Sequence, residues 1–329
     1  MRIGIFCSGG DAPGMNACTR AAVRAAVSQG HEVIGIRRGY QGLLEEDFYI
    51  NAAGQPVMDA RSVSGILGWG GTVLRTSRSP EFQTEAGQQK ATAILRKHRI
   101  DALIAIGGDG TYRGAIALAR SWNGQIIGCP GTIDNDLVGT DFTIGFHTAV
   151  NTAVEAVDKL RDTAESHERM FIVEVMGRHS GYIALFTALA AGAEIACLPE
   201  TSTSPEQIIA QLHELRSRGK RSIIIVVAEG DELGGAVKLS ERLDQLGCPF
   251  SSRVVILGHI QRGGSPSPND RILAGRMGDF AVQSILAGKT GEAVSVVAGQ
   301  MTLVPFSVAA SGHHAVPTDY VRLLDVLAQ

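Results

Sequence analysis

Residues 102–120 read Ala-Leu-Ile-Ala-Ile-Gly-Gly-Asp-Gly-Thr-Tyr-Arg-Gly-Ala-Ile-Ala-Leu-Ala-Arg. An apolar run from Ala102 to Ile106 breaks at Gly107, and helical spacing follows from Thr111 to Arg120. Strand, glycine turn and helix are the reading. An uninterrupted apolar run, rather than an alternating one, marks a strand buried on both faces, as in a parallel sheet covered by helices. Downstream, Ile126–Gly128 leads into Pro-Gly-Thr-Ile-Asp-Asn-Asp at 130–136; upstream, Ile3–Cys7 runs into Ser-Gly-Gly-Asp-Ala-Pro-Gly at 8–14.

The same alternation continues along the chain. Further strands are expected at Val33–Ile36, Phe171–Val175, Ile195–Leu198, Ser222–Ala228 and Val254–Leu257, with Ala293–Val297 as the last core strand. Helices are expected near Met15–Ser28, from Gly145 through residue 162, and at Gly181–Ala191, Pro205–Arg216, Lys238–Leu246 and Pro268–Leu286. Alternating strands and helices imply an α/β fold with mostly parallel sheets. Such sheets bind ligands outside the carboxyl ends of their strands. The unusual loops hold that position: 8–14, 107–111, 131–136, 176–178, 229–230 and 258–264.

At 329 residues the chain suggests about two domains, and a 44% hydrophobic fraction is ample for packed cores. The net charge of −3, with no basic block, speaks against nucleic acid. No apolar run reaches membrane-spanning length and no signal peptide is read, so a cytoplasmic protein is expected. The five cysteines are far apart and form no CxxC, which indicates neither zinc nor a disulfide framework; they read as small buried hydrophobes.

Within those loops the chemistry is acidic groups beside glycine turns, the pattern expected where a cation bridges carboxylates to phosphate oxygens. Turn preference alone also favours Gly, Asp and Asn. Asp109 is placed for Mg²⁺, with Gly107, Gly108 and Gly110 leaving room for a polyphosphate. Asp134 and Asp136 divide the remaining work, one accepting the attacking hydroxyl's proton and the other holding metal or metal-bound water. An extended stretch would point both carboxylates the same way across Asn135. Arg78, Arg169, Arg178, Arg253 and Arg262 are candidate phosphate ligands, and His259 a donor to a sugar hydroxyl or phosphate. His98, His313 and His314 have no comparable company in the sequence.

With these residues in view, the chain resembles the bacterial-type ATP-dependent 6-phosphofructokinases nearly end to end. The segments that carry the resemblance are SGGDAPGMN at 8–16, GGT at 70–72, TSRSPEF at 76–82, IGGDGTY at 106–112, PGTIDND at 130–136, VEVMGRHSGY at 173–182 and LGHIQRGGSP at 257–266. The resemblance implies two αβα sandwich domains with the active site in the cleft between them. It implies a larger nucleotide-binding domain at 1–145 plus 260–310, a sugar-phosphate domain at 146–259, and a C-terminal segment at 311–329. The implied reaction, the committed step of glycolysis, moves the ATP γ-phosphoryl to O1 of fructose 6-phosphate with Mg²⁺, in an allosteric homotetramer.

By the same resemblance Asp134 is the base and Thr132 its substrate-contacting neighbour. Asp109 and Asp136 are the magnesium-associated acids. Gly10, Tyr40, Arg78, Gly108, Gly110 and Thr111 serve ATP, while Arg178 supports the transition state. Met176, Gly177, Glu229, His259 and Arg262 contact the sugar phosphate, and Arg169 and Arg253 reach it from a neighbouring subunit. Pyrophosphate-dependent relatives usually carry Asp at position 110 and Lys at 131, so glycine at both favours ATP. Ser79, Gln83 and Arg113 depart from the usual adenine region. Arg20, Arg24, Arg161, Glu194, Lys220 and Arg221 resemble effector-site residues, but Ala60 and Ser222 replace an arginine and a histidine, which implies weakened or altered control by ADP and phosphoenolpyruvate. The alternatives are a pyrophosphate-dependent sugar-phosphate kinase or a noncatalytic nucleotide or sugar-phosphate sensor.

Overall fold

The computed structural model describes residues 1–328; the last residue of the expected C-terminal segment lies outside them. In chain order the strands are β1 (Arg2–Cys7), β2 (Glu32–Gly35), β3 (Ala102–Gly107), β4 (Gln125–Thr132) and the short β5 (Ile144–Gly145). Then follow β6 (Met170–Val175), β7 (Ile195–Cys197), β8 (Ile223–Ala228), β9 (Ser252–Ile256), β10 (Glu292–Val297) and β11 (Gln300–Pro305). Two compact units result. One comprises Met1–Ile133, Leu137–His147 and Arg262–Gly312; the other Asp134–Asp136, Thr148–Gln261 and the stretch from His313.

The first unit is built on one sheet of order β11-β10-β4-β3-β1-β2, with β5 beside the end of β4. All its pairs are parallel except β10 with β11. Ala102–Ile106 is at most 1% exposed, as its continuous apolar run requires. Burying each of Leu103, Ile104 and Ile106 stabilises by about 1.5–3 kcal/mol. The chain runs from β1 to β2 on one side, then crosses back to place β3 on the other side of β1. That reversal opens a crevice at the carboxyl ends of β1 and β3, where open α/β sheets take ligands.

The second unit holds a parallel sheet of order β7-β8-β6-β9. Its β8 is fully buried throughout. The helix Pro205–Ser217 starts from a capping box, Ser204 accepting from the amide of Gln207 while the Gln207 side chain accepts from the amide of Ser204. Among the described residues no helix is long and apolar enough to cross a membrane.

Several elements differ from the sequence expectation. After the core strand Ala293–Val297 one further strand follows that the sequence did not suggest: the chain turns at Ala298-Gly299, both at positive φ, into antiparallel β11. As an edge strand β11 is only partly buried, so its apolar signal is weak. The helix Glu85–Lys97 has a Thr84 cap and an apolar stripe confined to Ala91, Ile94 and Leu95. That stripe is too short to stand out among polar residues. The helix expected from Thr111 begins at Asp109, and the one expected through residue 162 runs Phe146–His167.

Candidate active site

In the first unit three loops meet at the carboxyl ends of β1, β3 and β4. The Ser8 amide donates to the Ile106 carbonyl at 2.9 Å, and the buried Thr111 hydroxyl donates to the Ser8 carbonyl at 3.1 Å. Gly107 is required where these strands exit. A Cβ there would lie 2.2 Å from Thr111 Oγ1 and 2.4 Å from the Ser8 carbonyl oxygen. The loops therefore pack with no room for a side chain at Gly107, which holds the glycine turn close against the Ser8 loop.

Gly10 and Arg262, assigned from sequence to different substrates, are neighbours: a Cβ at Gly10 would be 2.3 Å from Arg262 Nη1, which also donates to the Asp11 carbonyl at 3.1 Å. Thr76 Oγ1 donates to the Gly9 carbonyl at 2.6 Å, tying the stretch with exposed Arg78 to the first glycine loop. Gly108 lies beside Thr132, its would-be Cβ 3.8 Å from Thr132 Cβ, while Gly110 meets nothing within 4 Å. The Thr132 carbonyl accepts from Thr143 Oγ1 at 2.7 Å, and buried Asp270 accepts from the Gly145 amide at 2.9 Å, which steadies β5 against β4.

Asp109 opens the helix Asp109–Leu118, where the helix dipole favours an anion, and is paired with Arg113 at 2.7 Å on an exposed surface. Tyr40 reaches this region indirectly. It is 5% exposed, stacks on Phe82 at 4.0 Å and donates its hydroxyl to the Thr111 carbonyl at 2.8 Å. Its contribution is support of the helix start rather than an open aromatic face.

Among the described residues no group of three or more His, Cys, Asp or Glu could hold a metal by itself. Mg²⁺ needs no such cage, because it commonly keeps waters and takes one or two carboxylates together with substrate phosphates. A partly exposed Asp109 between space-leaving glycines fits that mode of binding.

In the second unit the loop after β6 is held at both ends. Buried Gln261 accepts from the Met176 amide at 2.8 Å, and Glu200 accepts from the Gly181 amide at 2.8 and 3.0 Å. Met176 and Gly177 are buried within it, whereas Arg178 is exposed, as are Glu229 and His259 on the loops after β8 and β9. The Glu229 amide donates to the Val175 carbonyl at 2.9 Å, so these loops share one end of the sheet. Arg169 and Arg253 do not join them. Arg169 precedes β6 and Arg253 pairs with Phe171, placing both at the opposite end of those strands.

The acidic pair is not extended. Asn135 is left-handed, with φ of 51°, so the simple alternation across it does not hold; asparagine tolerates this conformation because its short polar side chain finds local partners. Nor are His313 and His314 without company. His313 Nδ1 lies 3.3 Å from Asp136 Oδ2, and the His314 amide donates to the Asp136 carbonyl at 2.8 Å. Ser180, Gln261 and Glu200 gave no sequence signal as site residues, since each acts by holding main chain.

Of the six effector candidates, three converge in the second unit: buried Glu194 is 2.6 Å from Lys220 and 3.7 Å from Arg161. Arg221 pairs instead with Glu168 at 2.9 Å, and Arg20 and Arg24 lie on the helix Met15–Ser28 of the first unit.

The family model described as phosphofructokinase matches residues 2–285. The chain is 50% identical over 327 residues to ATP-dependent 6-phosphofructokinase 1 of Thermus thermophilus, covering 99% of each chain. It is 46% identical, again over 99% of each, to the ATP-dependent 6-phosphofructokinase of Shouchella clausii. Among solved structures, Saccharomyces cerevisiae phosphofructokinase aligns with TM-score 0.83 and 34% identity over 98% of this chain, which spans 45% of that longer yeast chain. Pyrophosphate-dependent phosphofructokinase of Nitrosospira multiformis aligns with TM-score 0.86 over 100% of this chain and 92% of that one; at 21% identity it speaks for the fold alone. A family match over most of its length, together with the loops assembled at the strand ends, establishes that this chain belongs to the phosphofructokinase family.

Proposed function

We propose that this chain transfers the γ-phosphoryl group of ATP to O1 of fructose 6-phosphate, giving fructose 1,6-bisphosphate and ADP. The carrying observation is the full-length identity of 46–50% to relatives named ATP-dependent 6-phosphofructokinase. The donor loop supports ATP over pyrophosphate. Gly110 has open space where an aspartate would fit, so glycine there leaves the helix start free of a second carboxylate. The first unit is read as the nucleotide-binding domain and the second as the sugar-phosphate domain.

Asp134 takes the proton of O1–H as the oxygen attacks the γ-phosphorus in line, with Thr132 beside it. Mg²⁺, when bound, neutralises the polyphosphate, and Asp109 and Asp136 are the carboxylates assigned to it. Arg78 and Arg178 draw charge from the moving phosphoryl group, and both side chains are exposed to meet a ligand. Gly10, Gly108, Gly110 and Thr111 serve the nucleotide phosphates. Met176, Gly177, Glu229, His259 and Arg262 hold the sugar phosphate.

Arg169 and Arg253, at the far end of β6 and β9, are read as ligands for the 6-phosphate of a neighbouring copy's substrate. Six residues of β6 span about 20 Å, too far for either side chain to reach the Met176 loop of its own sheet. That assignment requires an oligomer, read as a homotetramer, and a glycolytic role supports a cytoplasmic enzyme. The paired Arg161, Glu194 and Lys220 form the core of the assigned effector site.

The test is fructose 1,6-bisphosphate formation from fructose 6-phosphate and Mg²⁺, with ATP and pyrophosphate offered in parallel. Product with ATP alone is expected. Product with pyrophosphate refutes the donor assignment, and product with neither refutes the kinase reading.

A further inference from the structure

We propose that Ser180 is a positioning residue for the phosphoryl-transfer base, its hydroxyl holding the main-chain carbonyl of Asp134 and so setting the direction of that carboxylate. The proposal rests on the reading of Asp134 as the base. Ser180 is 1% exposed, and its Oγ donates to the Asp134 carbonyl oxygen at 2.7 Å. The two residues are 46 positions apart in sequence. Their bond joins the loop after β6 to the acidic segment.

The peptide it grips leads directly into Asn135, which is left-handed and itself 1% exposed. A peptide plane is rigid, so fixing its carbonyl fixes the rotation of the Asp134 main chain on one side and of Asn135 on the other. The next carbonyl but one, that of Asp136, is gripped in the same way by the His314 amide at 2.8 Å. Both carbonyls flanking the strained Asn135 conformation thus have external anchors.

The donor is itself immobilised. Gln261 holds the loop at Met176, and Glu200 holds it at Gly181, the residue next to Ser180. Gly177, at φ of 129°, lets the loop close so tightly that a Cβ there would lie 2.3 Å from the Ser180 carbonyl oxygen. A hydroxyl held this firmly transmits the geometry of the β6 loop to the base. Alanine at 180 keeps the packing and removes the tether, and the carboxylate then samples directions away from O1 of the sugar.

Steady-state kinetics on the full-length enzyme with ATP, Mg²⁺ and fructose 6-phosphate test this through Ser180→Ala, Ser180→Cys, Asp134→Asn and the Asp134→Asn/Ser180→Ala double variant. Losing one neutral hydrogen bond predicts a kcat for Ser180→Ala lower by about 3–10-fold, with both KM values within about twofold. Ser180→Cys keeps the volume with a weaker donor and is expected between wild type and alanine; it also carries the test if Ser180→Ala does not fold. If Ser180 acts through the base, its loss costs nothing further once Asp134 is asparagine. A fully multiplicative loss in the double variant, or Ser180→Ala and Ser180→Cys with wild-type kcat while Asp134→Asn is inactive, overturns this proposal alone. Near-normal turnover of Asp134→Asn overturns the base assignment and this proposal with it.

Discussion

Gly230→Ala places a methyl carbon 1.7 Å from the carbonyl oxygen of Arg178 and 2.4 Å from its carbonyl carbon. Ordinary contact begins at 3.4 Å, so the main chain has to give by more than 1 Å. The obstacle is backbone, not the tip of a flexible side chain. Arg178 lies in the loop pinned by Gln261 at Met176 and by Glu200 at Gly181, so that loop does not yield without straining these hydrogen bonds. Overpacking of this kind costs about 1–3 kcal/mol of stability. The larger effect is on rate, because misplacing a group at the reacting centre by about 1 Å costs on the order of 10²-fold. We expect kcat for fructose 1,6-bisphosphate formation to fall by roughly that factor, with a lower melting temperature. Gly275→Ala is the control: nothing lies within 4 Å of its Cβ, in the helix Pro268–Leu286, and the change is expected to leave kcat unaltered. A Gly230→Ala enzyme with kcat within about threefold of wild type and an unchanged melting curve would refute the view that this close approach sets the Arg178 loop.

Gly10→Ala drives a Cβ to 2.3 Å from Arg262 Nη1, a movable group, so the fold should survive while the KM values for ATP and fructose 6-phosphate both rise; an effect confined to ATP would contradict the observed adjacency. Arg253→Ser should weaken fructose 6-phosphate binding and spare ATP. Mixing it with Asp134→Ser subunits should restore some activity through hybrid sites, and a strictly additive mixture would argue against sharing between copies. Tyr40→Phe removes a buried hydrogen bond and should cost about 1 kcal/mol in stability while changing the ATP KM less than about threefold; a large KM effect would show direct contact with the nucleotide. Four of the five cysteines are buried, and burial pushes the Cys7 thiol up to about 12, so a thiol reagent should titrate only Cys248 in the native enzyme and all five after denaturation.

The parallel α/β class, the order of the main strands and the acidic glycine loops are legible in the sequence because each has a local cause. A strand buried on both faces must be apolar throughout, as Ala102–Ile106 and Ile223–Ala228 are, and the chain must turn where such a strand leaves its sheet. Elements with little buried surface left weaker traces, which is why edge strand β11 and the helix Glu85–Lys97 escaped.

Tertiary structure alone decided which residues serve the site by holding others. Asn135 turns left-handed between two anchored carbonyls, Ser180 reaches Asp134 across 46 positions, and His313 and His314 meet Asp136 from near the chain's end. It also set Arg169 and Arg253 at the opposite end of their strands from the Met176 loop. A hydrogen bond to a main-chain carbonyl places no demand on the identity of the residue that owns it. Such contacts therefore leave no pattern to read until the fold brings the partners together.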